Sequence, residues 1–483
     1  MSHGDHGAVD GSTGGSAGES TGAAGFHLGR VLHLALIAAL GGFLFGFDTA
    51  VINGAVDAMR NEFGMGDELT GFTVASALLG CMVGAYFAGR LSDRFGRVRV
   101  MVGAAVFFSV SSIGSALAFG PPDMILWRVI GGIGVGAASV IAPAYIAEIS
   151  PAAVRGRLGS LQQLAIVCGI FVALLSDFAI ASAAGGSAEP LWFGLSAWRW
   201  MFMVEFVPAA LYGLLAFTIP ESPRHLVRLG REEEARRVLL GILRGGVEGR
   251  IGEIRRTIAQ DTKSRWSDLL VPGRARLLPI VWIGIVLSVF QQFVGINVIF
   301  YYSSTLWRAV GFTEQDALTQ TVITSITNIA VTVVAILLID RIGRRRLLTI
   351  GSFGMFLALG VMTWVFSTAP LNEAGEPVLT GATGPVALLA ANAFVVFFGM
   401  SWGPAVWVLL GEIFNNKIRS TALGIAAGAQ WLANFAISTS FPAMASVGLW
   451  FAYGFYTLAA LASGLFVLKF VPETSGRELE DMA

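Results

Sequence analysis

The string LSDRFGRVR occupies positions 91–99, and a close copy of it, LIDRIGRRR, occupies positions 338–346. Both strings are basic, and each separates the second from the third long apolar segment of its half of the chain. Two further pairs recur at matching places in the halves: Glu148 followed by Arg155 and Glu412 followed by Arg419, and PESPR at 220–224 and PETSGR at 472–477. Three matched pairs in the same order indicate an internal duplication into two parallel halves. Duplications of this kind are a known plan of transporters, in which the substrate binds between the halves.

The composition is that of a chain that folds in a lipid bilayer. Apolar residues make up 55% of the 483 positions and charged residues only 13%, whereas soluble domains carry about 25% charged residues. The formal net charge is zero, which argues against a nucleic-acid partner. Both cysteines, Cys81 and Cys168, lie in apolar segments, so the sequence predicts no disulfide framework.

Long apolar segments set the fold class. A membrane-spanning helix needs about 20 mostly apolar residues, and twelve segments meet this requirement. The predicted spans are 31–55, 70–89, 100–120, 124–147, 159–182, 198–219, 277–307, 316–339, 347–368, 385–413, 421–445 and 448–470. The sequence therefore predicts an all-α polytopic membrane protein with twelve transmembrane helices in two six-helix halves.

The positions of Lys and Arg predict the orientation of this bundle. Short loops rich in these residues stay on the cytoplasmic side of the membrane. With the N-terminus inside, all but four of the 32 basic residues fall in inner loops and tails. The exceptions are Arg60 and Arg308 in outer loops, and Arg128 and Arg199 within or at the edge of spans. We therefore expect a multi-pass protein of the cell membrane with both termini in the cytoplasm.

Polar stretches divide the chain into five parts. The N-terminal residues are rich in Gly, Ser, Ala and His, and we expect a disordered tail in which His3 and His6 bind no metal, because a metal site needs a folded second shell. The middle stretch is too polar to insert, and it contains predicted amphipathic helices at 231–240 and 253–260. The predicted parts are a cytoplasmic tail at 1–28, a six-helix half at 29–219, a cytoplasmic helical linker at 220–276, a six-helix half at 277–470 and a cytoplasmic tail at 471–483.

Six short strings carry a family resemblance. They are GGFLFGFD at 41–48, GRLSDRFGR at 89–97, PESPR at 220–224, QQFVGIN at 291–297, DRIGRR at 340–345 and PETSGR at 472–477. Over essentially all of positions 31–477 the chain resembles the sugar porter family of the major facilitator superfamily. The resemblance implies the major facilitator fold, and it is stronger toward the proton-linked sugar permeases of bacteria. Animal facilitators tend to lack the acidic residue found here as Asp48.

A buried acid and a buried base are the candidate proton-coupling site. Asp48 and Arg128 lie at nearly the same depth, about 26 Å and about 24 Å from the cytoplasmic ends of their helices at 1.5 Å per residue. Charged groups inside the membrane are costly and usually functional, and the resemblance implies that Asp48 takes the proton. A static salt bridge is the alternative. We expect structural roles for the other membrane acids, Asp177 and Glu205, with Arg199 as a partner for one of them.

Amide and aromatic side chains deep in the apolar segments are the candidate sugar site. A sugar needs groups that both donate and accept hydrogen bonds, together with aromatic walls. By resemblance, the sugar-contacting residues are Gln163, Gln291, Gln292, Asn297, Asn328, Trp407, Gln430 and Trp431. Gln291 and Asn297 face different sides of an ideal helix, and a break at Gly295 would bring them together. Hydrogen bonds that merely hold the helices together are the alternative for any single amide.

The charged strings that open this section are the candidate gate. The resemblance implies that they tie the halves together on the cytoplasmic side when the site faces outward. The residues concerned are Asp93, Arg94, Arg97, Glu148, Arg155, Asp340, Arg341, Arg344, Glu412 and Arg419. Anchors for orientation are the alternative, but acidic residues contribute little to topology.

These features together predict a proton-coupled symporter that imports a monosaccharide, glucose or another hexose or pentose, by alternating access. The alternatives are a facilitative sugar uniporter and a carrier of another cargo, such as the polyol inositol, or an exporter. A sugar sensor and an enzyme are weaker, since no catalytic motif is present. The tract GGIGVG at 131–136 follows no strand and predicts helix packing rather than a nucleotide loop. We expect a monomer without cofactor or metal, whose partners are the sugar, the proton and lipid, and no nucleic acid.

Overall fold

The computed structural model describes residues 25–151, 154–260, 266–271, 276–371, 377–414 and 418–473. His3, His6 and most of the predicted C-terminal tail lie outside these ranges. The described residues form α-helices and no sheet, and their β pairs are isolated bridges. The all-α prediction is confirmed.

Six spans form the first half. They are α1 (Leu28–Phe63), α2 (Asp67–Phe95), α3 (Arg97–Ala116), α4 (Pro121–Ile149), α5 (Arg155–Ala184), and α6 (Ala197–Val204) continued by α7 (Phe206–Ala216). Three short helices follow: α8 (Pro223–Arg228), α9 (Glu232–Ile242) and α10 (Val247–Gln260). The two amphipathic helices predicted in this stretch correspond to α9 and α10.

Six more spans form the second half. They are α11 (Pro279–Phe293) continued by α12 (Ile296–Ala309), α13 (Glu314–Ile342), α14 (Arg344–Thr368), α15 (Thr383–Gly399) continued by α16 (Trp402–Ile413), α17 (Arg419–Val447) and α18 (Leu449–Phe470). Among the described residues, eleven spans are long and apolar enough to cross a membrane. With α17, which has 29 residues, the twelve predicted spans are all present as helices.

Two spans predicted as single helices are interrupted. Glu205 separates α6 from α7, and Pro208 lies just beyond it, where its ring nitrogen cannot donate to the carbonyl of Val204. Met400 and Ser401 separate α15 from α16, and the ring nitrogen of Pro404 in the first turn of α16 cannot donate to the carbonyl of Met400. The missing proline donors explain both interruptions.

A third interruption was expected from the sequence. Gly295 lies between α11 and α12 with φ 85°, in the left-handed region that favours glycine. A Cβ at this position would also meet the ring of Tyr456 at 2.8 Å. The predicted break at Gly295 is confirmed.

Small residues allow close packing within each half. In the first half α2 lies along α4, and a Cβ on Gly132 would come within 1.9 Å of the carbonyl oxygen of Ala77. A Cβ on Gly136 would lie 2.1 Å from the carbonyl oxygen of Cys81. Both glycines belong to the tract at 131–136, and its predicted role in helix packing is confirmed.

The halves meet along three helix pairs, α2 with α17, α5 with α13, and α1 with α12. We call the end of the bundle where α1 begins and α18 ends the terminal face, and the end where α1 and α12 end the distal face. Near the distal face, a Cβ on Gly71 would lie 2.1 Å from the carbonyl oxygen of Thr439. There the backbones of α2 and α17 are in contact.

The helices α8 to α10 lie at the terminal face. The hydroxyl of Tyr145 in α4 donates to the carbonyl oxygen of Pro220 at 2.7 Å. The end of α9 pairs with the chain just before α1, where the amide of His27 donates to the carbonyl oxygen of Ile242 at 2.8 Å. These bonds hold the short helices against the first half.

Candidate functional site

The centre of the first half contains a buried ion pair. A guanidinium nitrogen of Arg128 in α4 lies 3.1 Å from Oδ1 of Asp48 in α1. The same nitrogen donates to the carbonyl oxygen of Asp48 at 3.3 Å. Each residue is only 2% exposed. The depths predicted for the two residues from the sequence therefore agree with a direct contact.

This ion pair is only partly satisfied. Oδ2 of Asp48 and Nε of Arg128 have no hydrogen-bond partner among the described protein atoms. The guanidinium also lies over the ring of Phe202, 5.8 Å from its centroid. A buried charge pair with unfilled hydrogen-bond sites is held less firmly than a complete network. The geometry suits a pair that has to separate and re-form.

Glu205 is the third member of this cluster. It is 2% exposed, it lies at the interruption between α6 and α7, and it interacts electrostatically with both Asp48 and Arg128. The sequence offered Glu205 no basic partner other than Arg199, because the interruption that places it was not predicted. The cluster therefore contains two carboxyl groups and one guanidinium.

The partner proposed for the other acids is wrong. Arg199 pairs with Glu62 at 2.6 Å and donates to the carbonyl oxygens of Ala116 and Ala118. It contacts neither Asp177 nor Glu205 among the described interactions. Arg199 starts the first turn of α6, so its side chain reaches the helix ends at the distal face rather than the bundle interior.

Asp177 in α5 accepts from the backbone amide of Gly54 in α1 at 3.2 Å. Its other oxygen has no hydrogen-bond partner among the described protein atoms. Asp177 therefore braces α1 and stands apart from the Asp48 cluster.

The break at Gly295 brings two candidate sugar ligands together. The side-chain amide of Asn297 in α12 donates to Oε1 of Gln292 in α11 at 2.5 Å. Gln292 is 6% exposed and Asn297 is half-buried. A hydrogen-bonded amide pair of this kind keeps free donors and acceptors on both residues.

Gln291 does not share the bond between Gln292 and Asn297, and its amide points to α16 instead. Its amide donates to the carbonyl oxygen of Trp402 at 2.9 Å, at the start of α16. Trp402 is fully buried, and its indole donates to the hydroxyl of Ser352 at 2.9 Å. In this structure Gln291 ties α11 to the start of α16.

The other candidate sugar ligands come from four helices. Asn328 is 7% exposed, Trp407 is 43% exposed, and Gln163, Gln430 and Trp431 are half-buried. The ring of Trp431 in α17 lies 5.5 Å from that of Phe45 in α1, so this contact crosses between the halves. Gln162 rather than Gln163 packs against Gly42 of α1.

The sequence did not single out a set of contacts at the distal face. The side chain of Asn53 in α1 donates to the carbonyl oxygen of Phe300 in α12 at 2.9 Å, and the hydroxyl of Ser304 donates to the carbonyl oxygen of Asn53 at 2.6 Å. One turn further along, Thr305 and Arg308 bond to the two oxygens of Asp57, each at 3.0 Å. We call these residues the distal latch. They join the halves, and the sequence signal for them was a basic residue placed alone in an outer loop.

At the terminal face, four candidate gate residues form two matched ion pairs. Arg97 pairs with Glu148 at 2.9 Å in the first half, and Arg344 pairs with Glu412 at 3.0 Å in the second. Both pairs lie within a half. Arg97 also lies 3.4 Å from Asp93.

The remaining gate candidates differ from these. Arg94 is exposed and lies over the ring of Phe95. The side chains of four candidates lie outside the described part of the chain: Arg155, Asp340, Arg341 and Arg419.

The strings PESPR and PETSGR each supply a glutamate that caps a helix of its own half. The carboxylate of Glu221 accepts from the backbone amides of Arg97 and Val98, at 2.9 and 3.2 Å. The carboxylate of Glu473 accepts from those of Arg344 and Arg345, at 3.0 and 3.2 Å. Each glutamate therefore caps the N-terminus of the helix that follows the repeated basic string.

The chain is similar to known transporters over most of its length. A family model described as Sugar (and other) transporter matches residues 34–483. The chain is 59% identical to a glucose transport protein of Synechocystis sp., over 94% of this chain and 97% of that protein. It is 39% identical to the D-xylose-proton symporter of Escherichia coli strain K12, over 94% of this chain and 95% of that protein. A solved structure of the inward open conformation of the xylose transporter XylE from E. coli matches with a TM-score of 0.79 and 37% identity, over 94% of this chain and 99% of that one.

Proposed function

The chain belongs to the sugar porter family of the major facilitator superfamily, and from that membership we propose that it is a proton-coupled symporter that imports a monosaccharide. It is a transporter and not an enzyme. Glucose is the first candidate substrate, because the relative at 59% identity is a glucose transport protein. Xylose and other pentoses follow, since the relative at 39% identity is a D-xylose-proton symporter.

The ion pair of Asp48 and Arg128 carries the proposal of proton coupling. The two side chains meet at 3.1 Å with almost no exposure. Protonation of Asp48 removes its charge and weakens its hold on Arg128, so α1 and α4 gain freedom to move against each other. Glu205 interacts with both residues, and it offers Arg128 an alternative partner when Asp48 is neutral.

The bonded amides Gln292 and Asn297 support a sugar site between the halves. Both lie at the break between α11 and α12, where the chain can change shape with few hydrogen bonds lost. We propose that they bind sugar hydroxyls, together with Gln163, Gln291, Asn328 and Gln430, and that Trp407 and Trp431 form the apolar walls. Gln291 would need to release the Trp402 carbonyl oxygen or bind sugar through its own side-chain oxygen.

Alternating access supplies the transport step. The distal latch is closed in this structure, so entry from that side requires its contacts to break. The charged candidates at the terminal face would then join the halves, as proposed for Arg97, Arg344 and their neighbours. We propose that the terminal face is cytoplasmic, because it carries most of the basic residues of the loops. One chain supplies both walls of the site, which supports a functional monomer.

The test is uptake of labelled glucose and xylose into proteoliposomes, with and without an imposed pH gradient. Accumulation above the external concentration only when the lumen is alkaline is the expected result. Uptake that equilibrates but never accumulates would indicate a uniporter. Counterflow with a panel of unlabelled sugars, and with inositol as the polyol, identifies the cargo. If inositol competes and every sugar fails to compete, the cargo is a polyol and the sugar assignment is wrong.

A further inference from the structure

His225 is a buried histidine at the terminal face that the transport cycle described above does not use. It lies in the short helix α8 and is 2% exposed. Its position follows directly after the PESPR string, and Ser222 at the start of the helix caps its backbone amide at 3.4 Å. The side chain is therefore fixed by the local fold.

The imidazole contacts a candidate gate residue. Nδ1 of His225 lies 3.3 Å from a guanidinium nitrogen of Arg97. Since a guanidinium can only donate, Nδ1 accepts, and the imidazole is the neutral form with its proton on Nε2. The same guanidinium nitrogen donates to the carbonyl oxygen of Ser92 at 3.1 Å, and the opposite edge of Arg97 pairs with Glu148. One arginine therefore links the turn between α2 and α3 to both α4 and α8.

Charged groups of both signs surround the imidazole. Facing it are Glu221 just before α8, Arg97 at the start of α3, Arg228 in α8 and Glu148 in α4. Arg228 is itself paired with Asp93 at 2.6 Å. The contacts of α8 with α9 and α10 are apolar and involve Leu226 and Val227. Burial lowers the pKa of His225 from its ordinary value, with Arg97 and Arg228 acting in the same direction and Glu221 opposing them.

We propose that His225 is a sensor of pH at the terminal face, which slows transport when that side becomes acidic. A proton on Nδ1 removes the acceptor that Arg97 uses and places a second cation beside it. The imidazolium then competes with Arg97 for the carboxylates of Glu148 and Glu221. Because each imported sugar would carry a proton to this side, the device limits the acidification that import itself causes, and in this respect it rests on the proposed function.

The pH range follows from the direction of the shift. The neutral imidazole is favoured in the folded protein, so its contribution to stability is complete above the ordinary value of about 6.5. That contribution is lost as pH falls from about 6.5 toward the lowered pKa of the folded protein. The sensor is therefore silent at neutral pH and acts in mild acid.

Equilibrium exchange of labelled sugar in proteoliposomes tests the proposal. Sugar and pH are kept equal on both sides, so that neither gradients nor the orientation of the protein matter. The wild type is compared with His225→Gln and His225→Phe, neither of which can take up a proton. Between about pH 7.5 and about pH 5.5, we expect the ratio of wild-type to variant exchange to fall by about threefold or more, within the limit of about tenfold per pH unit for one site. The ratio cancels the titration of Asp48, which all three proteins share.

His33→Gln is the matched control, because His33 is an exposed histidine in α1 near the same face. We expect it to keep the wild-type pH profile. A second readout, thermal unfolding of the purified proteins, needs no transport activity. The wild type should lose more of its melting temperature than either variant over the same pH range. The proposal would be overturned if neither the exchange ratio nor the difference in melting temperature between wild type and variants changed with pH. Absence of exchange for every sugar would overturn the proposed function instead, and leave the unfolding comparison to decide on His225.

Discussion

The guanidinium of Arg308 lies 3.0 Å from the carboxylate of Asp57, and this ion pair joins the two halves at the distal face. Because the side chains are 40% and 21% exposed, the pair is worth about 0.2 to 1 kcal/mol. We expect Arg308→Gln to shift the population toward the state open at the distal face by about fivefold at most. Spin-label distances across the distal mouth measure this shift.

Arg60→Gln is the control for that experiment. Arg60 pairs with Asp67 at the same face, but both residues belong to the first half. Its replacement should leave the distance distribution unchanged. Equal shifts in the two variants would mean that surface charge in general, and not the distal latch, sets the equilibrium.

Gly71→Ala tests the same closure by packing instead of charge. The added methyl group would meet the carbonyl oxygen of Thr439 at 2.1 Å, and a backbone atom cannot move aside cheaply. We expect the variant to remain open at the distal face, to bind sugar from that side and to lose most transport. Gly89→Ala in the same helix is the control, since nothing lies within 4 Å of its added carbon. Normal transport by Gly71→Ala would contradict backbone contact between α2 and α17 in the working cycle.

Asp48→Asn should abolish uptake against a gradient while exchange persists. The amide keeps the shape and hydrogen bonds of the protonated acid but cannot release a proton. Arg128 loses its charged partner, so exchange should slow. Labelled-sugar transport with an imposed pH gradient is the measurement. Asp177→Asn is the matched control, because Asp177 is another buried acid whose one hydrogen bond among the described residues comes from a backbone amide of α1. Accumulation by Asp48→Asn would move the proton site to Glu205.

Substitutions of the amides near the break between α11 and α12 should distinguish residues that bind sugar from a residue that stabilises the fold. Gln292→Ala or Asn297→Ala should weaken sugar binding by about 1 to 3 kcal/mol. Because the two side chains bond to each other, we expect the double variant to cost less than the sum of the single ones. Gln291→Ala should instead lower the melting temperature, since it removes the bond between α11 and the start of α16. Calorimetric titration with sugar measures the affinities, and thermal unfolding measures the stability. Unchanged affinity in both single variants would show that Gln292 and Asn297 do not belong to the sugar site.

The sequence predicted those features that depend on helical rise or on a single special residue. The common depth of Asp48 and Arg128 followed from counting residues along two helices, the family resemblance implied their pairing, and the break at Gly295 followed from the backbone freedom of glycine. Both signals are local in the chain. The structure therefore agrees with them closely.

The features that were missed depend on how distant helices meet. Nothing near Asp57 in the chain indicates that Arg308 lies beside it. Arg199 pairs with Glu62 and not with one of the two membrane acids, as was expected, because depth alone cannot tell which way a side chain at a helix start will point. The interruption at Glu205 was not predicted because Pro208 acts at a distance, on the carbonyl four residues before it.

The paired caps have a consequence for how the chain is made. In each half, the glutamate that fixes the third span is supplied from beyond the sixth: Glu221 follows α7, and Glu473 follows α18. As a ribosome delivers the protein from its N-terminus, α3 therefore stays uncapped until the whole first half has been synthesised, and α14 stays uncapped until the whole second half has been synthesised. In each half, therefore, the cap of the third span forms only after all six spans have been synthesised. A chain cut short before Glu473 would leave the N-terminal amides of α14 without this acceptor.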